Sequence, residues 1–85
     1  IIDEELENTE KDKIEEFMFM GLRMIKGIEE KEFENRFGKK IDELYKEVIE
    51  KHIKNGLLIR EDGRIFLSKK GIELSNIVMS DMILW

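Results

Sequence analysis

Apolar positions recur at helical spacing over the first third of the chain. Ile14, Phe17, Met18, Gly21, Leu22 and Ile25 follow the i, i+3, i+4, i+7 rule. The pattern predicts a helix from about Glu10 to Lys26. Thr9 is placed to cap it, and Glu10 and Asp12 fall in the first turn, where carboxylates suit the helix dipole. Gly27 stands where a left-handed residue belongs after the last turn. Residues 1–8 are acidic and aperiodic, and are expected to form a linker from a preceding domain. Residues 9–85 are then the domain itself. Ile28 reads as a short apolar link. Phe33 and Phe37, one turn apart, predict a short helix from about Glu30 to Phe37 that Gly38 ends. After Lys39-Lys40, Asp42 is expected to cap a third helix, Glu43 to Lys54, with Ile41, Leu44, Tyr45, Val48, Ile49 and Ile53 on its apolar face.

The period then changes from helical to extended. Leu58-Ile59-Arg60-Glu61 and Arg64-Ile65-Phe66-Leu67 flank Asp62-Gly63, the sequence signature of a two-residue type I′ hairpin. That register sets Glu61 opposite Arg64 and Ile59 opposite Phe66 on one face, with Leu58 and Leu67 on the other. Ser68 is placed to cap a fourth helix, about Lys69 to Leu84. In it Ile72, Val78, Met79 and Met82 share a broad apolar arc. Gly71 in its first turn suggests close packing on the hairpin. The expected fold class is α+β, mostly α, with a winged helix-turn-helix-like order of helix, short helix, helix, β-hairpin wing and helix.

Composition narrows the function classes. Of 85 residues, 41% are hydrophobic and 41% charged, against a typical charged share of about 25%. There is no Ala, so nearly every apolar position carries a large side chain, and so charged a chain can still fill a core. There is no Cys, which excludes a disulfide framework, a thiolate nucleophile, Cys-ligated zinc and a Cys-held iron–sulfur cluster within this sequence. No apolar run, Phe17 to Met20 included, approaches the roughly 18 residues a membrane span needs. No signal-peptide pattern opens the chain, and a cytoplasmic location is expected. A first residue of Ile rather than Met leads us to expect a piece of a longer protein.

The charge pattern weighs on what a winged-helix fold would otherwise suggest. A net charge of −5 is unfavourable for phosphate binding, and no nucleic-acid partner is expected. The third helix would be the reading helix, yet its polar face carries Glu43, Glu47 and Glu50 beside Lys46, Lys51 and Lys54. Carboxylates there suit few base edges, whereas pairs such as Glu47 with Lys51 suit a solvated helix surface. The wing tip holds Arg60, Glu61, Asp62 and Arg64, with no net positive charge. Catalytic residues are not expected. The one His, His52, projects between Val48 and Ile49 and reads as half-buried in or beside the core. The sharper alternatives are an axial haem ligand and a general base. Its neighbours at i±4, Val48 and Gly56, supply no second ligand. The acidic doublets read as solvated faces, no phosphate loop, dinucleotide or zincin motif is present, and the methionines read as adaptable core filler.

The stretch Glu16-Phe17-Met18-Phe19-Met20-Gly21-Leu22-Arg23 resembles the opening of the C-terminal domain of the oxygen-independent coproporphyrinogen III oxidase family. These are radical S-adenosylmethionine proteins that include haem chaperones. The resemblance continues through Phe33-Glu34-Asn35-Arg36-Phe37-Gly38, Asn55-Gly56-Leu57-Leu58, Leu67-Ser68-Lys69-Lys70-Gly71 and Leu74-Ser75-Asn76. Its short form is more similar to the haem-chaperone branch. The resemblance implies a parent with an N-terminal radical-SAM barrel, a [4Fe–4S] cluster and S-adenosylmethionine, and porphyrin or haem metabolism as its field. It assigns this chain no catalytic, cofactor-binding or metal residue, places an aliphatic residue where His52 stands, and implies a docking or lid role beside the barrel. The alternative is a free-standing winged-helix module that binds DNA or protein.

Three apolar residues are candidates for such docking. With Ile14 at the origin, Phe19 falls in the polar sector of the first helix, at ~140°. Ile77 and Leu84, seven residues apart, form a stripe more than ~90° from the middle of the apolar arc of the fourth helix. Phe19, Ile77 and Leu84 are expected to face the barrel or a second copy of the chain in a homodimer.

Overall fold

The computed structural model describes the backbone of residues 2–83 and the side chains of residues 10–83. Leu84 lies outside the described residues. The order is α1 (Ile2–Arg23), β1 (Ile28–Glu29), α2 (Glu30–Phe37), α3 (Ile41–Lys54), β2 (Leu58–Glu61), β3 (Arg64–Leu67), α4 (Lys69–Glu73) and α5 (Ser75–Ser80). This is α+β, mostly α. The three-stranded antiparallel sheet runs β1-β3-β2 and forms the wing.

The long helix α1 begins at Ile2, so the backbone is helical across residues 2–8 and Thr9 is no cap. It ends at Arg23 rather than Lys26, because Met24 N–H turns back to the Gly21 carbonyl at 3.2 Å. Ile14, Met18 and Leu22 are buried as their spacing requires, but Ile25, beyond the helix end, leaves the apolar stripe altogether. Ile28 is a strand residue rather than a link. It pairs with Ile65, and Glu29 with Arg64.

The helix-turn-helix forms around an aromatic trio. Phe17, Phe33 and Phe37 pack edge to face with centroids 4.9–5.7 Å apart, a geometry that sets positive ring edges against negative faces. Lys40, not Asp42, is the N-cap residue of α3. Glu43 accepts its N–H at 2.8 Å, and Glu43 N–H returns to the Lys40 carbonyl at 3.0 Å. Asp42 instead pairs with Arg60. Ile41, Tyr45 and Ile49 of α3 are buried. Burial of each isoleucine contributes about 1.5–3 kcal/mol relative to exposure.

The hairpin has the expected register, Glu61 with Arg64, Ile59 with Phe66 and Leu58 with Leu67. Asp62 and Gly63 hold φ of 52° and 75°, as a type I′ turn requires. Leu58 and Ile65 fill the core from one face, while Ile59, on the other, is 38% exposed. Ser68 caps α4, its hydroxyl accepting Gly71 N–H at 3.0 Å. A Cβ at Gly71 would collide with the Leu57 carbonyl and come within 3.2 Å of Leu67 Cδ2, the close approach that this glycine signals.

The expected fourth helix is two. Leu74, at φ −109° and ψ 30°, separates α4 from α5. The break stands beside Ser75-Asn76, residue types that favour caps and turns over helix interiors. Val78 and Met82 turn inward, but Ile72, expected on the same arc, faces solvent because the break resets the helical phase.

Candidate docking surface

The three predicted docking residues have different fates. Phe19 is partly buried and packs against the core, so α1 is rotated relative to its ideal projection. Ile77 is 50% exposed on α5. Leu84 lies beyond the described residues, so the Ile77–Leu84 stripe is described at one end only. Around Ile77 the C-terminal segment also exposes Ile72, Leu74 and Ile83.

A second apolar surface lies at the carboxyl end of α1, where Met20 is 61% exposed and Ile25 94%, with Met24 between them in sequence. It adjoins an open groove of about 870 Å³ between α1 and α2, lined by Phe17, Phe37, Gly21 and Ile28 among others. The signal for this surface is present in the sequence. With Ile14 at the origin, Met20 projects to ~240° and Met24 to ~280°, beside Lys13, Glu16 and Arg23 and far from the Ile14–Met18 stripe, and reading the methionines as core filler passes it over. Met18 and Met82 are core filler as expected; Met20 and Met24 are not.

His52 is fully buried rather than half-buried. Its Nε2–H donates to Asp81 Oδ2 at 2.8 Å, and its Nδ1 is buried with no hydrogen-bond partner among the described residues. Lys51 donates to the same carboxylate oxygen at 3.1 Å, instead of pairing within its helix to Glu47. These two hydrogen bonds, Lys51's first, hold the Asp81 carboxyl below the usual carboxylate range. Tyr45, two turns before His52 on the same face of α3, donates its hydroxyl to the Met82 carbonyl at 2.9 Å. Burial, reinforced by the nearby charge of Glu15, raises its phenol well above the usual value. His52, Tyr45 and Lys51 thus clamp the C-terminal segment onto α3. A ring so enclosed and engaged is unsuited to ligation or base catalysis from solvent.

A second clamp lies at the wing. Arg60 of β2 donates through Nε to Glu30 Oε2 at 3.1 Å and through Nη2 to Asp42 Oδ2 at 3.0 Å, with a further bond to Glu30 Oε1. One guanidinium therefore joins the wing to the amino ends of both α2 and α3, where the carboxylates also suit the helix dipoles. It is engaged within the fold, which subtracts a cation from the surface available to phosphate. Glu43, Glu47 and Glu50 on α3 are exposed.

Among the described residues no group of three His, Cys, Asp or Glu side chains is placed to hold a metal ion. No helix among them is long and apolar enough to cross a membrane. The arrangement provides apolar surface on a clamped scaffold.

Comparison with known proteins finds one family and two relatives. The profile of the HemN C-terminal domain matches residues 8–74. The chain is 40% identical over 76 residues to the heme chaperone HemW of Lactococcus lactis subsp. lactis (strain IL1403), covering 89% of this chain and 20% of that protein. It is 33% identical over 70 residues to the heme chaperone HemW of Bacillus subtilis (strain 168), covering 82% of this chain and 18% of that protein. The chain thus spans about a fifth of the length of these curated relatives. No solved structure matches it significantly.

Proposed function

The chain belongs to the HemN C-terminal domain family, and on that premise we propose that it is the accessory domain of a radical-SAM protein of the haem-chaperone kind, docked beside the parent's N-terminal barrel. The observation that carries this reading is the family match over residues 8–74, joined to relatives named heme chaperones. Exposed apolar residues on a clamped scaffold support docking as its task. Ile77 belongs to that apolar surface, and Leu84, seven residues on in the sequence, is proposed beside it.

The [4Fe–4S] cluster and S-adenosylmethionine belong to the parent in this reading. The donor set of this chain does not fit the cluster. An 85-residue sequence without Cys offers no thiolate, and its one imidazole is committed to Asp81. The chain contributes placement of a neighbouring domain and no chemical step.

The test is the reading frame upstream of Ile1. It should encode a Cys-x-x-x-Cys-x-x-Cys loop and roughly 200–250 residues or more of barrel. A frame that lacks both, or that joins this domain to a ligand-sensing or regulatory domain, overturns the reading.

A further inference from the structure

Met20, Met24 and Ile25 are held in place, not merely left outside. Met20 stands on α1, and the turn that carries Met24 and Ile25 is closed by Met24 N–H to the Gly21 carbonyl at 3.2 Å and Gly27 N–H to the Met24 carbonyl at 3.0 Å. Gly27, at φ 74°, abuts the Ile65 carbonyl, and a Cβ there would meet Phe66 Cβ at 2.5 Å. The sheet begins at the next residue, where Ile28 pairs with Ile65. A turn whose backbone is fixed this way before binding loses little backbone freedom when covered, a condition that favours an anchor site. Around the adjoining groove, Lys13, Lys26 and Arg36 face Glu10, Glu16 and Glu32. Three cations against three carboxylates leave no net charge. Such a rim suits a protein surface and not a polyphosphate or an anionic membrane.

We propose that this end of α1, with its groove, receives the part of the parent polypeptide that precedes α1, through an apolar patch on that part. The inference rests on the accessory-domain reading and names the face that reading needs. The relatives are about five times as long as their match to this chain, and the matching family is a C-terminal domain, so the remainder enters through the amino end of α1. A body four times this domain's length has a radius of gyration of roughly 20 Å. It therefore spans the ~33 Å of a 22-residue helix and reaches its far end. The family match contains the whole Met20–Ile25 face and stops short of Ile77 and Leu84, which favours the α1 face over the α5 face.

Methionine oxidation reads the face directly, since exposure governs the rate of sulfoxide formation. This chain and the full-length parent are treated with dilute hydrogen peroxide and each methionine is followed by peptide mass spectrometry, with buried Met18 and Met82 as internal references. Met20 and Met24 should oxidise fast in the chain alone and at least about fivefold more slowly in the parent. Ile25→Glu in the parent should restore the fast rate. The same substitution in the chain alone should leave its melting temperature unchanged, because Ile25 makes no core contact to lose. If Met20 and Met24 oxidise equally fast in both proteins while amide exchange around Ile77 slows in the parent, the α1 face is wrong and docking stands. If neither region slows, docking itself fails. Protection in the chain alone that grows with its concentration assigns the face to a second copy and overturns the proposal.

Discussion

His52 donates a 2.8 Å hydrogen bond from Nε2 to Asp81, joining the last turn of α3 to the residue that ends α5. The ring is fully buried and the carboxylate only partly so. The pair therefore differs from an exposed ion pair, since the polar atom at stake on the His side has no water to turn to. Asp81→Ala should cost about 1–3 kcal/mol at neutral pH, the penalty for leaving a buried donor unsatisfied. Urea denaturation of the two proteins measures it, and a change within error would show that solvent reaches Nε2.

The same carboxylate predicts part of the acid limb. Its folded pKa lies below the ordinary value of about 3.9, because Lys51 and His52 donate to its charged form. A depressed pKa stabilises the fold above the unfolded value and ceases to do so as pH falls through the folded one. Stability of the native sequence should therefore drop below about pH 4 more steeply than that of Asp81→Ala. Parallel curves would contradict the assignment.

Tyr45 is the only tyrosine, so its ionisation can be followed without interference. Burial first, and Glu15 second, raise its phenol pKa. The phenolate band near 295 nm should be absent at the pH of about 10 where free tyrosine titrates and should appear only as the chain unfolds. Because the unfolded phenol ionises first, stability should fall as pH rises above about 10. Tyr45→Phe removes the hydroxyl and leaves the Met82 carbonyl unpaired, at a cost of about 1–2 kcal/mol in the same denaturation assay.

Gly71→Ala should destabilise by about 1–3 kcal/mol or more, since the added methyl overlaps the Leu57 carbonyl, a backbone group with little room to move. That carbonyl also accepts Ser68 N–H at 3.0 Å, so displacing it loosens the start of α4. Thermal melting checks the size, and a neutral substitution would place α4 farther from the wing than described.

DNA affinity should be low. The net charge is −5, Arg60 is occupied by Glu30 and Asp42, and α3 presents Glu43, Glu47 and Glu50. Fluorescence titration against mixed duplexes at physiological salt should give no dissociation constant tighter than ~10⁻⁶ M. A tighter constant with a steep salt dependence would restore the winged-helix module as a nucleic-acid reader.

What the sequence determined by itself was local. The Asp62-Gly63 hairpin and its register, the Ser68 cap, the helical stripes of α1, α2 and α3, and the acid-rich character of α3 all follow from spacing or from the stereochemistry of neighbouring residues. The absence of Cys is likewise complete in the sequence. Tertiary structure decided everything that depends on distant partners. Strand β1 exists because folding sets Ile65 and Arg64, 37 and 35 residues on in the chain, opposite Ile28 and Glu29. His52 became a buried clamp because Asp81, 29 residues on, reaches it. Asp42 lost its expected capping role to a guanidinium 18 residues away. The docking faces were decided last, because periodicity measures only the angle between side chains on one helix. Which angle points inward depends on how each helix is rolled against the sheet. The roll that buries Met18 and Leu22 draws Phe19 onto the core and leaves Met20 in solvent.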